Sequence, residues 1–147
     1  MSQENVETVR GSLIAFAEGG LDAMAGFWDP AIDWRAIEGA PDDVGEMHGT
    51  AAKRRYIQEW IDMFDDLTLV ADQLFDVGDD RVIAEQHVTG RAKLSGAQTE
   101  LRYAVVYTVR NGKILRGREY ANLDQALGAA GPPGVAAPPD VAERFTK

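Results

Sequence analysis

The chain has 147 residues, of which 45% are apolar, and this length and composition suit one domain with a two-layer core. Its 24 acidic and 15 basic residues give a formal charge of −9, and the basic residues occur in short scattered groups, so nucleic acid and anionic membrane surfaces are poor partners. The lack of cysteine excludes disulfide bonds, a thiolate nucleophile and a cysteine-ligated metal.

The first residues carry no positive patch followed by an apolar run, as an export signal would. No segment approaches the roughly 18 apolar residues that a membrane-spanning helix needs. Together with the absence of cysteine, these features predict a cytoplasmic protein.

The N-terminal part of the chain has the apolar spacing of helices. Apolar residues three and four positions apart predict a first helix over residues 2–20, which a glycine pair ends. A short second helix is predicted over residues 21–27, before an Asp-Pro step that stops it.

A short strand is predicted over residues 31–37, with Ile32, Trp34 and Ala36 on one face. Residues 38–49 are rich in glycine and acidic residues and have no apolar period, which predicts a loop that covers the mouth of a pocket.

A third helix is predicted over residues 50–64, with Tyr56 and Trp60 on its apolar face. The charged residues that open this helix, among them Lys53, are assigned to its solvated face. This helix would therefore contribute aromatic rings to the core and charges to the surface.

The remainder of the chain reads mostly as extended structure. The predicted strands cover residues 67–77, 82–90, 99–109 and 113–120. Asn111-Gly112 predicts a type I′ turn between the last two. A short helix over residues 123–130 and a proline-rich tail follow, and helices before an antiparallel meander predict the α+β class.

This order of elements, with His48-Gly49 before the third helix and the sequence Asn-Gly-Lys-Ile at the last hairpin, resembles the NTF2-like fold. Within that fold it is similar to the SnoaL-like proteins, relatives of polyketide cyclases, ketosteroid isomerases and limonene-epoxide hydrolases. The resemblance implies a cone of three N-terminal helices packed on a strongly curved, mainly antiparallel sheet that encloses a pocket. It also implies a homodimer, a SnoaL-like domain over residues 1–131 and a separate tail over residues 132–147.

Strand period two places Glu85 and His87 on one face of the strand 82–90. Limonene-epoxide hydrolases carry ionisable residues at this spacing and a second acid on the last strand, so the resemblance implies a catalytic set of Glu85, His87 and Glu119. Inside an apolar cone such groups would have shifted pKa values and could act as general acid and base. The alternative is that Glu85 and His87 are solvated side chains of an antiparallel sheet.

Four aromatic residues are candidates for substrate binding, and plain packing is the alternative for them: Phe16, Trp34, Tyr56 and Trp60. Departures from each relative leave the reaction open. Phe16 stands where ketosteroid isomerases have a tyrosine, Ala36 replaces the asparagine of the hydrolases, and Gly90-Arg91-Ala92 replaces the Gly-Thr-His of the cyclases.

The two-residue turn in the last hairpin pairs Tyr103 with Tyr120 and puts Glu119 on the opposite face. We assign the face of Glu119 to the pocket and the tyrosine face, which also holds Tyr107, to the interface of a homodimer. In the inverse assignment, Tyr103, Arg118 and Tyr120 become the site.

The two histidines lie on different elements, so we expect no metal, and we expect no cofactor. Two functions remain open. The first is a small-molecule enzyme, an isomerase, cyclase or hydrolase, that uses acid–base chemistry on a small apolar ligand. The second is a non-catalytic ligand-binding or dimerisation module. A cavity of about 300 Å³ or more with carboxylates inside would favour the enzyme.

Overall fold

The computed structural model describes residues 2–130, which fold into three helices and one six-stranded sheet. The helices are α1 (Ser2–Ala25), α2 (Gly49–Met63) and α3 (Leu123–Ala130). The strands are β1 (Trp28–Arg35), β2 (Met47–His48), β3 (Phe64–Gly78), β4 (Arg81–Ala92), β5 (Gln98–Arg110) and β6 (Lys113–Tyr120). The α+β class is confirmed, whereas the predicted tail at 132–147 lies outside the described residues.

The predicted break between the first two helices is present. The element α1 consists of two helical segments that meet at Gly20, whose φ of 78° and ψ of −163° are non-helical, so the glycine pair interrupts the helix as predicted. Glycine tolerates this backbone conformation because it has no Cβ. The helix α2 also precedes the meander, and α3 follows it.

The sheet has the strand order β2-β1-β6-β5-β4-β3. Strands β3 to β6 form the predicted antiparallel meander. Strand β1 joins it in parallel with β6, where Trp34 lies beside Gly117. This parallel pairing brings the aromatic residue of the first strand next to the last hairpin.

Two apolar clusters show which side of the sheet each helix covers. On the inner face, α1 and α2 pack over a core that contains Val9, Ile32 and Val105. On the outer face, α3 packs over a smaller cluster that contains Ile83 and Ala104. The inner face is the one that can enclose a pocket.

The Asn111–Gly112 turn forms as predicted, with Arg110 opposite Lys113. A register shift follows between Val109 and Thr108, because Thr108 pairs with Arg116 and Leu115 is passed over. Such a bulge displaces all later pairs by one residue and moves their side chains to the other face.

The predicted faces of the last hairpin are therefore wrong. Glu119 lies opposite Val105, and Tyr107 lies opposite Gly117, so the tyrosines of β5 share the inner face with Glu119. Tyr103 and Tyr107 do not form an exposed interface, and Tyr120 packs on the outer face beside α3. Of the three predicted dimer contacts, Tyr103 and Tyr107 thus face the interior of the protomer, and Tyr120 remains half-buried on the outer face.

None of the three described helices combines the length and the apolar composition that crossing a bilayer requires.

The close approach of β1 to β6 predicts that Gly117→Ala is strongly destabilising. A Cβ at this position would lie 2.0 Å from Cζ3 of Trp34, whose ring is buried and belongs to the core. Overpacking of this kind costs about 3 kcal/mol of unfolding free energy. Urea denaturation followed by circular dichroism measures the loss.

Gly128→Ala is the matched control. Gly128 lies within α3, and a Cβ there would meet no atom within 4 Å. We expect this substitution to stabilise the protein by up to about 1 kcal/mol, because alanine is the better helix former. Equal denaturation midpoints for the two variants would contradict the packing argument.

Candidate active site

A cavity of about 420 Å³ lies between α1, α2 and the inner face of the sheet. All four predicted substrate-binding residues line it, and so does one of the predicted catalytic residues, Glu119. The lining aromatic residues are Phe16, Trp28, Trp34, Tyr56, Trp60, Tyr103 and Tyr107. A largely apolar cavity of this size with few polar groups is typical of a small-molecule site.

Glu119 is the central acidic group of this cavity. Trp34 Nε1 donates a hydrogen bond to its Oε2 at 2.8 Å. The Tyr56 hydroxyl lies 3.0 Å from its Oε1 and 3.1 Å from Asp42 Oδ2. Burial raises the pKa of Glu119, against the opposing effects of the Lys53 charge and of the hydrogen bonds from Trp34 and Tyr56.

Lys53 is the basic counterpart of Glu119. Its side chain is only 4% exposed, and Nζ lies 3.3 Å from the centroid of the Trp34 ring. The rings of Tyr56 and Trp28 are 5.5 Å and 5.6 Å away. Burial lowers the pKa of Lys53 to about 7, although the Glu119 charge acts in the opposite direction. Within residues 2–130, no acceptor forms a hydrogen bond or ion pair with this amine.

A second polar group spans β4 and β5. Gln86 is 1% exposed, and its Nε2 donates to the Tyr103 hydroxyl at 3.0 Å. The Tyr107 hydroxyl donates to Gln86 Oε1. Burial raises the pKa of both phenols, so they remain neutral near pH 7. Because Tyr103 accepts from Gln86, its own proton is available to a ligand.

The predicted loop lies at the cavity, where residues 40–42 form part of the lining. Asp43 organises this loop, since its carboxylate accepts from the backbone N–H groups of Gly39 at 2.9 Å and Gly45 at 3.0 Å. Arg35 Nη2 adds a third bond at 3.1 Å. These bonds, with the Gly39 N–H contributing most, lower the pKa of Asp43 to about 2.

Glu85 and His87 do not reach the cavity, and the prediction that they converge with Glu119 is wrong. They point to the outer face, where Glu85 accepts a hydrogen bond from Gln73 at 3.0 Å and His87 Nε2 lies 3.0 Å from Glu100. Strand period two instead directs Gln86 inward. Within the described residues, no group of three or more His, Asp or Glu side chains is placed to hold a metal ion.

Sequence reasoning missed the inward orientation of Lys53. This residue precedes Tyr56 by three positions and Trp60 by seven, so helical periodicity places all three on the same face of α2. Its charge led to the assignment to the solvated face. The spacing of the helix was the better guide.

The lowered pKa of Lys53 predicts a distinct pH dependence of stability. Burial depresses its pKa from 10.5 to about 7, so between these values the unfolded chain binds more protons and the unfolding free energy rises with pH. Relative to Lys53→Met, the wild type should gain on the order of 1–3 kcal/mol between pH 6.5 and pH 9.5. In Lys53→Met the pKa of Glu119 rises further, because the opposing Lys53 charge is gone. The unfolding free energy of that variant then falls with pH, which enlarges the gain of the wild type relative to it. Urea denaturation at both pH values measures the difference.

Lys93→Met is the control, because Lys93 is exposed and removed from the cavity. We expect its unfolding free energy to follow that of the wild type at both pH values. Parallel pH profiles for the wild type and Lys53→Met would show that Lys53 keeps a solvated amine.

Solved structures share this fold. An NTF2-like protein from Burkholderia thailandensis is 26% identical, with a TM-score of 0.70 over 87% of this chain and 98% of that chain. A candidate polyketide cyclase from Xanthomonas campestris pv. campestris is 23% identical, with a TM-score of 0.67 over 88% and 98%. TerC, crystallised with polyporic acid, is 19% identical, with a TM-score of 0.69 over 86% and 96%.

No curated protein sequence matches the chain. The SnoaL-like domain family matches residues 9–117, a span that includes most of α1, all of α2, most of the sheet and every cavity-lining residue except Glu119. On this match, the chain belongs to the SnoaL-like family of NTF2-like proteins.

Proposed function

We propose that this protein is a small-molecule enzyme, an isomerase, cyclase or hydrolase, that uses Glu119 for acid–base chemistry on an apolar ligand without a cofactor. The observation that supports this most directly is a half-buried glutamate whose carboxyl group lines a largely apolar cavity of about 420 Å³. A carboxyl group with a raised pKa can take a proton from a bound ligand and return it near neutral pH.

The surroundings of Glu119 suit such proton transfer. Hydrogen bonds from Trp34 Nε1 and the Tyr56 hydroxyl fix the orientation of its carboxyl group. The ammonium form of Lys53 and the hydroxyl of Tyr103 line the same cavity. Preorganised donors of this kind stabilise negative charge that develops on a ligand oxygen.

The structural neighbours support a small organic compound as the ligand class. TerC was crystallised with polyporic acid, and another neighbour is a candidate polyketide cyclase. Since the chain shares their fold, we propose a ring compound of comparable chemistry for this cavity. The volume of about 420 Å³ lies within the range of small-molecule sites.

The alternative proposal is a non-catalytic binding module. One observation favours it: Oε1 and Oε2 of Glu119 both have hydrogen-bond donors in the protein, so this carboxylate can serve to anchor Trp34 and Tyr56. Both proposals predict a bound ligand, and they differ in whether the ligand is converted.

Glu119→Gln separates the two proposals. We expect a thermal-shift screen of steroids, terpenoids and aromatic polyketides to find compounds that raise the melting temperature, because a ligand that binds only the folded state stabilises it. The wild type should convert at least one of them, and Glu119→Gln should still bind it but convert it about 100-fold more slowly. Liquid chromatography coupled to mass spectrometry, which separates isomers of equal mass, measures conversion.

Glu85→Gln is the matched control, since it neutralises a glutamate on the outer face of the same sheet. We expect its conversion rate to equal that of the wild type. Full conversion by Glu119→Gln would contradict the acid–base role, and binding without conversion by the wild type would favour the binding module.

We further propose that the protein acts as a cytoplasmic homodimer, as the family resemblance implies. Val70, which is 46% exposed and lies on the outer face opposite His87, is one apolar side chain that a partner could cover. Light scattering at micromolar concentration should give twice the chain mass of 16.0 kDa. A mass near 16.0 kDa would remove the proposal.

A further inference from the structure

The amine of Lys53 lies in surroundings that are unusual for a lysine. Its stem extends from the first turns of α2 into the cavity, and the side chain is 4% exposed. The Trp34 ring covers one side of Nζ at 3.3 Å, while the rings of Tyr56 and Trp28 are more than 5 Å away. Among the described residues, none forms a hydrogen bond or an ion pair with this amine. The amine therefore has room and unused bonding capacity on the cavity side.

We propose that Lys53 Nζ is a nucleophile that forms an imine with the carbonyl group of an apolar aldehyde or ketone bound in the cavity. This inference rests on the proposed function in one respect, since it needs the cavity to admit a small apolar ligand. It adds a covalent step and a class of substrate, namely compounds with a reactive carbonyl group.

The step balances without any oxidant or reductant. The lone pair of the neutral amine attacks the carbonyl carbon, a C–N bond forms, and the π electrons of the C=O bond move to oxygen. The nitrogen loses a proton and the oxygen gains one, which gives a carbinolamine. Glu119 in its acid form donates a proton to the hydroxyl group, which leaves as water while the nitrogen lone pair forms the C=N bond. The resulting protonated imine then returns one proton to the Glu119 carboxylate. The products are one imine and one water molecule.

Glu119 is the group that can carry these protons. It lines the same cavity, and its charge raises the pKa of Lys53. Burial raises the pKa of its own carboxyl group, which favours the protonated form that can donate to the leaving hydroxyl group. The pair thus has an acid and a nucleophile in the same enclosure.

The protonation state of Lys53 supports this assignment. Its pKa of about 7 leaves about half of the amine neutral at neutral pH, whereas a solvated lysine is neutral in roughly one molecule in a thousand or fewer. Desolvation in an apolar pocket is a known way to activate a lysine for Schiff-base chemistry. The other titratable groups that line the cavity are Asp42, Tyr56, Arg102, Tyr103, Tyr107 and Glu119.

An imine would also help the proton transfer that we propose for Glu119. A protonated imine withdraws electrons from the adjacent carbon more strongly than the parent carbonyl group does. The C–H bond next to it becomes more acidic, and Glu119 is the nearby group that can accept that proton. Lys53 would thereby lower the barrier for an isomerisation or a cyclisation.

Reductive trapping tests the proposal without any knowledge of the natural substrate. The protein is incubated at pH 7 with 2-naphthaldehyde and sodium cyanoborohydride, which reduces an imine to a stable secondary amine. Peptide mapping by mass spectrometry then locates the adduct. We expect the peptide that contains Lys53 to be modified at least tenfold faster than those that contain Lys93 or Lys113. Its rate of modification should rise with pH through about pH 7, in step with the neutral amine.

Two variants sharpen the result. Lys53→Arg keeps the positive charge but has no nucleophilic amine, so it should lose this adduct, whereas Lys93→Arg should retain it. The α-amino group, with an ordinary pKa of about 8, reacts in every variant and is separated by the mapping. Since mapping identifies the modified residue in the wild type, the test does not depend on how well Lys53→Arg folds.

A ligand without a carbonyl group separates this inference from the proposed function. 2-Naphthalenemethanol has the same rings as the aldehyde and cannot form an imine. If it raises the melting temperature but the aldehyde leaves Lys53 no more modified than Lys93, the cavity binds ligands and the imine proposal is wrong. If neither compound raises the melting temperature of the wild type and the aldehyde does not modify Lys53 selectively, both proposals fail for this ligand class. Selective modification of Lys53 supports the imine.

Discussion

The Trp34 side chain is the contact on which the arrangement of the cavity depends. Its ring occupies the space above Gly117, so close that a Cβ there would lie 2.0 Å from Cζ3. It packs edge-on against Tyr107, with the ring centroids 5.5 Å apart. Its Nε1 binds Glu119 at 2.8 Å, and Lys53 Nζ lies 3.3 Å from the ring centroid. One tryptophan therefore fixes the positions of the acid and the base, and its own position requires a glycine on the neighbouring strand.

Lys53 and Glu119 line the same cavity, and its apolar surroundings disfavour the charged form of both side chains. Burial lowers the pKa of the amine and raises that of the carboxyl group, so each group is shifted toward its neutral form and the two pKa values move toward each other. A fully hydrated pair would keep its ordinary pKa values and hold fixed charges at neutral pH. A better-packed apolar pair would stabilise the fold more, as replacements of buried charges often do. The retention of two ionisable groups at this position is therefore more readily explained by chemistry than by stability.

Much of the fold follows from the sequence, because helical and strand periods, proline and glycine positions and the Asn111–Gly112 turn each act locally. Which residues of the last hairpin face inward does not follow from the sequence. The bulge at Leu115 depends on how β6 pairs with β1 as well as with β5. A shift of one residue exchanges inside for outside, which is why Tyr103 was placed on an interface. Glu85 was placed in the pocket because of the resemblance to limonene-epoxide hydrolases, and the strand period alone did not say which face points inward. Lys53 was misplaced for a different reason: its helical spacing pointed inward, and its charge was given more weight than the spacing.

The loop that contributes residues 40–42 to the cavity lining is also connected to Glu119. Tyr56 has one hydroxyl proton but two carboxylates within hydrogen-bonding distance, Asp42 at 3.1 Å and Glu119 at 3.0 Å, and it can donate to only one of them at a time. Ionised Glu119 competes with Asp42 to accept the hydrogen bond from the Tyr56 hydroxyl. Protonated Glu119 is the weaker acceptor, so the Tyr56 hydroxyl can then donate to Asp42. The Asp43 carboxylate holds the loop by accepting hydrogen bonds from the backbone N–H groups of Gly39 and Gly45. These bonds, which do not involve the cavity, help to set the position of Asp42. The protonation of Glu119 and the hydrogen bond that ties the loop to α2 are consequently coupled through a single phenol.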